Sequence, residues 1–297
     1  MQARELIRSW VPRLEAAGID TARLDAELLV ADALGIERSR LFLDDPVIDG
    51  AALVQAESTL GRRAAERIPV AQLVGHRWFD GHQLSVTADV LVPRPETEQL
   101  VELAAALVPR GAGVIDVGTG SGAIAVSLAA RRPDVTVTAS DVSEPALAVA
   151  RGNAERLGHR LAFQHASLLG QWTGQVVVSN PPYVEDAWRA QAEPELAHEP
   201  GLALYAGADG LDVIRALVAE CAATEAVELV LLEHGHQQGA AIRELLEAAG
   251  FVNATTETDL GGRDRITWAR RTPAPSGEVW TEQEYAERNI RRLRPRG

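Results

Sequence analysis

Apolar side chains in the first part of the chain recur at helical spacing. Over roughly the first seventy residues they return every three or four positions, as at Leu6, Trp10, Leu14 and Ala17. This spacing is typical of helices that bury one face. A further helix is predicted over 49–67, where it ends ahead of a proline. The pattern therefore predicts a small helical bundle.

The period of the pattern shortens between residues 75 and 92. Trp78-Phe79 and Leu84-Ser85-Val86 flank an Asp-Gly turn, which predicts two short strands joined as a β-hairpin. The prolines at 93 and 95 then mark a stiff loop that enters the next helix. The hairpin separates the helical region from the rest of the chain.

Buried strands and amphipathic helices alternate from Gly113 onward. Strands are predicted at 114–117, 135–140, 161–163, 176–178 and 228–232, with two closing strands near Phe251 and Ile266. Near-continuous apolar strands between helices predict an α/β fold with a mostly parallel, seven-stranded sheet covered on both faces. Such sheets bind ligands beyond the carboxyl ends of their strands, where the strand order reverses.

These patterns divide the chain into four segments. We predict a helical domain at 1–74, a hairpin linker at 75–92, a Rossmann-like domain at 93–271 and a C-terminal tail at 272–297. The helical domain is either a stabilising cap or a substrate-docking module. Docking is favoured because the α/β domain alone would leave its cofactor cleft open. The arginine-rich tail is expected to be mobile or docked as a short helix, the alternative being a basic nucleic-acid arm.

Composition narrows the class of protein. The net charge is −13, all 29 basic residues are arginine, and residues 76–270 hold 14 Arg against 26 acidic residues. That field repels a nucleic-acid backbone, so no direct nucleic-acid partner is expected. The single cysteine excludes an intramolecular disulfide, and the histidines lack ligand spacing, so no metal is expected. No apolar run reaches membrane-spanning length and no signal-peptide core is found, so we expect a cytoplasmic protein without membrane contact.

A glycine loop, Gly118-Thr119-Gly120-Ser121-Gly122, follows the first strand of the α/β region and opens a helix. Its glycines let the backbone approach a ligand closely, and the helix N-terminus supplies unpaired N–H groups. The spacing differs from that of dinucleotide binders. It suits S-adenosylmethionine, which has no pyrophosphate and whose amino-acid tail the loop would hold.

Asp141 ends the next strand, 21 residues after the central glycine of the loop. A carboxylate in this position can accept hydrogen bonds from both ribose hydroxyls of a nucleotide-like cofactor. The alternative is a helix N-cap, because Ser143 and Glu144 begin a helix. Both roles can hold together.

The corner Asn180-Pro181-Pro182-Tyr183 follows an apolar strand. Amides and aryl amines are poor nucleophiles because their nitrogen lone pair is delocalised. The Asn180 side-chain oxygen and the Pro181 carbonyl can accept both N–H hydrogens of such a group and orient it toward a methyl sulfonium. The prolines stiffen the turn and Tyr183 offers a flat ring for stacking. The alternative is a plain Asn-Pro turn.

Asn180, Pro181 and Tyr183 are therefore the candidate catalytic residues, and with Pro182 they form the candidate substrate site. No catalytic base is needed, since the nitrogen becomes acidic once it is methylated. Glu233-His234, at the end of a later strand, is either an acid–base pair or a polar cap beneath the cleft.

The chain resembles the release-factor glutamine methyltransferases, the PrmC/HemK family. The resemblance rests on Pro-Arg-Pro-Glu-Thr-Glu at 93–98, the glycine loop, the Asn-Pro-Pro-Tyr corner, and shorter matches within 199–211 and 231–235. It implies a class I S-adenosylmethionine-dependent fold and N5-methylation of the glutamine in the Gly-Gly-Gln motif of peptide chain release factors 1 and 2. It also implies that the helical domain helps to engage the release factor, and that the glycine loop, Asp141 and Asn180 contact the cofactor.

The segment after the third strand of the α/β region departs from this resemblance. The family usually has an acidic residue followed by a bulky one near the adenine, whereas this chain has Ser167 and Leu168. Ser167 is thus the candidate hydrogen-bond partner of the adenine amine in place of the acid, with Leu168 beside it.

Two other functions would use part of these features. The first is an N6-adenine or N2-guanine methyltransferase acting on nucleic acid. The acidic middle of the chain and its lack of a basic, aromatic-interleaved insert argue against it. The second is a non-catalytic module that docks on translation factors, which would have no need of both motifs. We expect a protein-glutamine methyltransferase that is monomeric.

Overall fold

The computed structural model describes residues 1–271, so the predicted tail at 272–297 lies outside the described residues. Before residue 75 the chain forms five helices: α1 (Ala3–Ala16), α2 (Ala22–Ala33), α3 (Arg38–Leu43), α4 (Gly50–Glu66) and α5 (Val70–Val74). Leu6, Leu14, Leu29 and Leu60 are among the fully buried side chains of their shared core. The helical spacing of the sequence thus corresponds to a packed bundle. Helices α3 and α5 were not predicted, since helices of 6 and 5 residues are too short to show a period.

A β-hairpin follows the bundle. Strands β1 (His76–Phe79) and β2 (His82–Ser85) pair antiparallel around Asp80 and Gly81, whose φ angles are 49° and 78°. Two successive residues with positive φ suit the right-handed twist of a tight hairpin. Phe79 and Leu84 are buried in the core of the α/β region. The hairpin therefore packs onto the second half of the molecule.

The α/β region contains seven strands and five helices, in the order α6 (Pro95–Leu107), β3 (Gly113–Val117), α7 (Ala123–Arg131), β4 (Thr136–Asp141), α8 (Glu144–Leu157), β5 (Ala162–His165), β6 (Val176–Ser179), α9 (Asp212–Ala223), β7 (Leu229–Glu233), α10 (Gly239–Ala248), β8 (Val252–Thr258) and β9 (Asp264–Arg270). The sheet order is β5-β4-β3-β6-β7-β9-β8, with the first five strands parallel and β9 antiparallel to both of its neighbours. The predicted mostly parallel, seven-stranded α/β fold is confirmed. None of the described helices is both long and apolar enough to cross a bilayer.

The strands read as apolar runs because both faces of the sheet are covered. In β6, Val176 and Val178 join a core with α6 and α7, whereas Val177 joins the opposite core with α9 and α10. All three valines are fully buried. Alternate side chains of a strand point to opposite faces, so both sets must be apolar.

The strand order reverses at β3, which has β4 on one side and β6 on the other. This arrangement leaves a crevice at the carboxyl ends of these strands. The glycine loop follows β3, Asp141 closes β4, and Asn180 follows β6. The fold thus brings three separate sequence motifs to one edge of the sheet.

The segment between β6 and α9 is tied to the helical bundle. It contains three short 3-10 turns, at Asp186–Ala190, Pro194–His198 and Gly201–Ala203. Glu195 accepts hydrogen bonds from Arg63 at 2.7 Å and from Arg67 at 2.8 Å, and Arg63 also pairs with Asp25 at 2.7 Å. The His198 carbonyl accepts a bond of 2.9 Å from Gln72. The loop beyond the Asn-Pro-Pro-Tyr corner therefore rests on the helical bundle.

Glu195→Ala is expected to lower the free energy of unfolding by about 2 kcal/mol. This is less than the cost of leaving a buried charge without any partner, because Arg63 still pairs with Asp25. Burial raises the Glu195 pKa, but the bonds from Arg63 and Arg67 outweigh it, so the pKa lies below the ordinary 4.5. The stabilisation is therefore present above pH 4.5 and is lost as the pH falls through the lowered pKa. Urea unfolding at several pH values measures it. Glu193→Ala, an exposed site on the same loop, is the control and should change little.

Candidate active site

The glycine loop adopts a backbone that needs two of its glycines for different reasons. Gly120 has a φ of 54°, and a Cβ added there would meet no atom within 4 Å, so the residue faces open space. Gly122 has a φ of 82°, and an added Cβ would lie 3.1 Å from the Cβ of Ala150. Gly120, like Gly118, therefore leaves open space in which a ligand can approach the backbone. Gly122 instead permits close packing of the start of α7 on α8.

Hydrogen bonds hold this loop from below. The N–H groups of Gly118 and Thr119 both donate to the Ser140 carbonyl at 2.9 Å, which ties the loop to the end of β4. The buried Ser121 accepts through its carbonyl a bond of 2.9 Å from Asn153. Helix α7 begins directly after the loop, and the N–H groups of its first turn have no intrahelical partner.

Asp116, at the centre of this support, was missed by the sequence analysis. Its Oδ2 accepts bonds from the Thr119 hydroxyl at 2.6 Å and from the Ala125 N–H at 3.2 Å. Its Oδ1 has no partner among the described residues, and burial raises the pKa of Asp116 to about 7. A lone acid inside an otherwise apolar strand was the available signal, because such a group is buried only where it has specific partners.

Asp141 braces the loop from β4. Its Oδ2 accepts the Gly120 N–H at 2.9 Å and its Oδ1 accepts the Ser143 N–H at 2.9 Å. The N-cap of α8 is Ser143, whose hydroxyl accepts the Ala146 N–H at 3.2 Å. The N-cap role that was the alternative for Asp141 is therefore filled by Ser143. Each Asp141 oxygen keeps a free lone pair, so the carboxylate can still accept ribose hydroxyls.

The segment with Ser167 and Leu168 lies at the same edge of the sheet. The Ala166 N–H donates to the Asp141 carbonyl at 3.1 Å, and the Ser140 hydroxyl donates to the Leu168 carbonyl at 3.3 Å. Ser167 is exposed between these two anchors. Leu168 has a φ of 53°, which a bulky side chain rarely adopts, and the bond from Ser140 to its carbonyl helps to hold this conformation.

The Asn-Pro-Pro-Tyr corner leaves β6 with Pro181 buried and Pro182 half-buried. The Tyr183 carbonyl accepts a bond of 3.0 Å from Gln238, and its ring packs against the core that contains α9 and α10. Burial and then the nearby Glu233 raise the pKa of Tyr183 to about 12, so the phenol stays neutral at physiological pH. A bonded, stiff corner supports the fixed placement of Asn180.

Two further residues lie beside Asn180, and neither was predicted from the sequence to do so. The Asn180 side chain donates through Nδ2 to the Thr97 hydroxyl at 3.1 Å. Glu233 lies beside both and is only 1% exposed, and its Oε2 has no hydrogen-bond partner among the described residues. Burial raises the pKa of Glu233 to about 7, while the nearby Thr97 and Asn180 side chains oppose the shift. His234 instead contacts the Thr267 hydroxyl at 2.7 Å. Among the described residues, Glu233 and His234 do not hydrogen-bond to each other as an acid–base pair would.

The segment that leads into Thr97 is fastened to the loop after the corner. Glu199, a buried acid of that loop, accepts the Val92 N–H at 3.0 Å and a charge-assisted bond from Arg94 at 2.6 Å. These bonds fasten the Pro-Arg-Pro-Glu-Thr-Glu segment against the loop. Both segments were part of the family resemblance, which was the only signal in the sequence that they belong together.

Two family models match the chain. The PrmC N-terminal domain covers residues 5–75, and the Methyltransferase small domain covers residues 97–202. The release factor glutamine methyltransferase of Cereibacter sphaeroides is 45% identical over 280 residues, which cover 91% of this chain and 99% of that protein. The release factor glutamine methyltransferase of Deinococcus radiodurans is 43% identical over 277 residues, with the same coverage of 91% and 99%.

A solved structure supports the fold. The catalytic domain of hMettl16 in complex with a MAT2A 3′UTR hairpin has a TM-score of 0.53 and 14% identity, covering 76% of this chain and 83% of that chain. At this identity the likeness concerns the fold alone. Membership of the family is shown by the two release factor glutamine methyltransferases, because they match this chain at above 40% identity over nearly their whole length. The resemblance drawn from the motifs is confirmed, and the chain belongs to the release factor glutamine methyltransferase family.

Proposed function

We propose that this enzyme methylates the side-chain amide N5 of the glutamine in the Gly-Gly-Gln motif of peptide chain release factors 1 and 2. It uses S-adenosylmethionine and releases S-adenosylhomocysteine. The observation that carries the proposal is the placement of Asn180 at the end of β6, next to the open glycine loop at the end of β3. The names of the relatives support the same substrate class. A cytoplasmic location follows from a translation-factor substrate.

The residues around the crevice suit this cofactor. Gly118 and Gly120 leave open space above the loop, and the first turn of α7 offers N–H groups for the carboxylate of an amino-acid tail. Asp141 can accept the ribose hydroxyls, and Ser167 with Leu168 can border the adenine. When bound, S-adenosylmethionine supplies an electrophilic methyl group on a sulfonium. Asn180 borders both this region and the substrate corner.

The corner can activate a glutamine amide by orienting it. In our proposal the Asn180 Oδ1 and the Pro181 carbonyl accept the two N–H hydrogens of the amide, which exposes the nitrogen lone pair. Tyr183 presents the face of its ring to the planar amide. With its pKa raised to about 12, Tyr183 is not a base at neutral pH. Water can take the proton that the methylated nitrogen releases.

The helical domain, residues 1–74, is proposed to dock the release factor, with residues 75–92 as its linker to the catalytic domain at 93–271. The support is the contact of Arg63 and Arg67 with Glu195, because this places the bundle beside the loop that follows the catalytic corner. We expect a monomeric enzyme that does not bind nucleic acid directly. Light scattering of the purified protein tests the first expectation.

Incubation with labelled S-adenosylmethionine tests the proposed function. The acceptors are full-length release factors 1 and 2, each compared with a variant whose Gly-Gly-Gln glutamine is replaced by glutamate, and DNA and RNA oligonucleotides. Label should appear on both native factors and be absent from both variants. Label on nucleic acid alone would reject the proposal, and label on neither substrate class would favour the non-catalytic docking module.

A further inference from the structure

Three side chains from different elements meet behind the catalytic corner: Asn180 after β6, Thr97 in the first turn of α6, and Glu233 at the end of β7. We propose that Thr97 and Glu233 are positioning residues that fix the orientation of the Asn180 carboxamide, with its Oδ1 turned toward the substrate amide. This inference rests on the proposed function, since it assigns the acceptor role to Asn180. Neither residue needs to touch the substrate.

The sheet register places two of the three side by side. Ser179 pairs with Leu232 across the parallel strands β6 and β7, so Asn180 and Glu233 are the next residues at the two strand ends. Thr97 closes the group, because its hydroxyl accepts the Asn180 Nδ2 at 3.1 Å. Thr97 is 4% exposed and Glu233 is 1% exposed. Water therefore competes little for these bonds.

The direction of the hydrogen bonds decides which edge of the carboxamide faces out. The two edges of an asparagine amide have nearly the same shape, but one donates and the other accepts. A carboxylate accepts only, so an ionised Glu233, whose Oε2 has no hydrogen-bond partner among the described residues, favours donors turned toward it from Thr97 and from Asn180. In this arrangement the Thr97 proton turns toward Glu233, and the hydroxyl oxygen accepts from the Asn180 Nδ2. With Nδ2 held inside, Oδ1 is left on the opposite edge for the substrate.

Protonation of Glu233 removes this constraint, because a neutral carboxyl can donate to Oδ1 and allow the amide to invert. Burial raises the Glu233 pKa to about 7, opposed by Thr97, Arg265 of β9 and Asn180, and assisted by Glu96 of α6. Tyr183 faces the same carboxyl and stays neutral, and the neighbouring His234 is turned to Thr267. Since the ionised form is the competent one, kcat is expected to fall as the pH drops through about 7.

Asp116 titrates in the same range but is separable. Its pKa is also raised to about 7 by burial, but it lies beneath the glycine loop and contacts Thr119 and Ala125. Its titration should act on cofactor affinity. Measurement of kcat at saturating cofactor therefore isolates the contribution of Glu233.

Thr97→Val, compared with Thr97→Ser, tests the positioning role. Valine keeps the shape and removes the hydroxyl, so kcat is expected to fall about 10- to 100-fold with the cofactor Kd unchanged. Serine keeps the hydroxyl and should restore most of the rate. A wild-type kcat in Thr97→Val would overturn the inference. Circular dichroism and thermal unfolding check that each variant is folded.

Glu233→Gln supplies a second test that does not depend on the folding of the valine variant. Glutamine cannot ionise, so the rise of kcat between about pH 6 and about pH 8 should vanish, whatever the absolute kcat of the variant. Retention of the wild-type pH profile would contradict the role of Glu233. If Asn180→Ala keeps the wild-type rate on the release factors, the acceptor role that the proposed function gives to Asn180 fails. If Asn180→Ala is inactive but Thr97→Val and Glu233→Gln behave as wild type, only the positioning inference fails.

Discussion

Asn180→Ala is expected to lower kcat on the release factors by about 10²- to 10³-fold, the loss typical of removing one preorganised hydrogen-bond partner of the reacting group. The side chain offers the only carboxamide of the corner, and Thr97 holds its nitrogen at 3.1 Å. Single-turnover methylation with a saturating release factor measures the chemical step. Calorimetric titration with S-adenosylmethionine measures binding, which should change by much less than the rate.

Two control variants accompany this prediction, one at Asn180 itself and one away from the corner. Asn180→Asp keeps an oxygen in place and should retain more activity than alanine, although its charge meets the neighbouring Glu233. Ser143→Ala, at the cap of α8, alters a distant helix end and should leave kcat near its normal value. An Asn180→Ala enzyme with an unchanged rate would show that the substrate amide is oriented by other groups.

Asp141→Ala is expected to weaken S-adenosylmethionine binding by about 100-fold, which corresponds to about 2.7 kcal/mol. The loss combines two effects. In the proposed cofactor site the ribose hydroxyls lose a charged acceptor, and the Gly120 N–H loses the bond of 2.9 Å that braces the loop. Asp141→Asn keeps one acceptor oxygen, so its affinity for the cofactor should lie between that of the wild type and that of Asp141→Ala. Equilibrium titration with the cofactor measures the dissociation constant.

Ser143→Ala is the matched control for Asp141, because both side chains act at the β4–α8 junction. Loss of the cap should cost about 1 kcal/mol of stability without changing cofactor affinity. Equal weakening of binding in both variants would mean that the junction acts only through its structure. Normal binding in Asp141→Ala would remove the carboxylate from the cofactor site altogether.

The connection between the two domains bears on how the substrate is presented. Arg63 and Arg67 of the bundle converge on Glu195, and Glu199, four residues later, holds Arg94. The same loop therefore contacts the helical domain on one side and the Pro-Arg-Pro-Glu-Thr-Glu segment on the other. A release factor bound to the helical domain would meet the corner through a loop that is already fastened at both ends.

Local patterns were enough to predict most of the architecture. The strands at 114–117 and 176–178 were found because both faces of a parallel sheet are buried, which leaves runs of apolar residues in the sequence. The Asp80-Gly81 turn was found because positive φ favours these residue types. The 3-10 turns between residues 186 and 203 were not found, since their order depends on partners such as Arg63 and Val92 that lie more than 100 residues away.

The sequence by itself determined the fold class, the glycine loop and the Asn-Pro-Pro-Tyr corner, because each depends on residues adjacent in the chain. Only the tertiary structure decided which groups surround them. Asp141 braces Gly120, Ser143 caps the helix, and Thr97 lies 83 positions from the Asn180 that it orients. Hydrogen bonds between strand ends and helix starts are set by strand order and register, and a linear pattern carries neither.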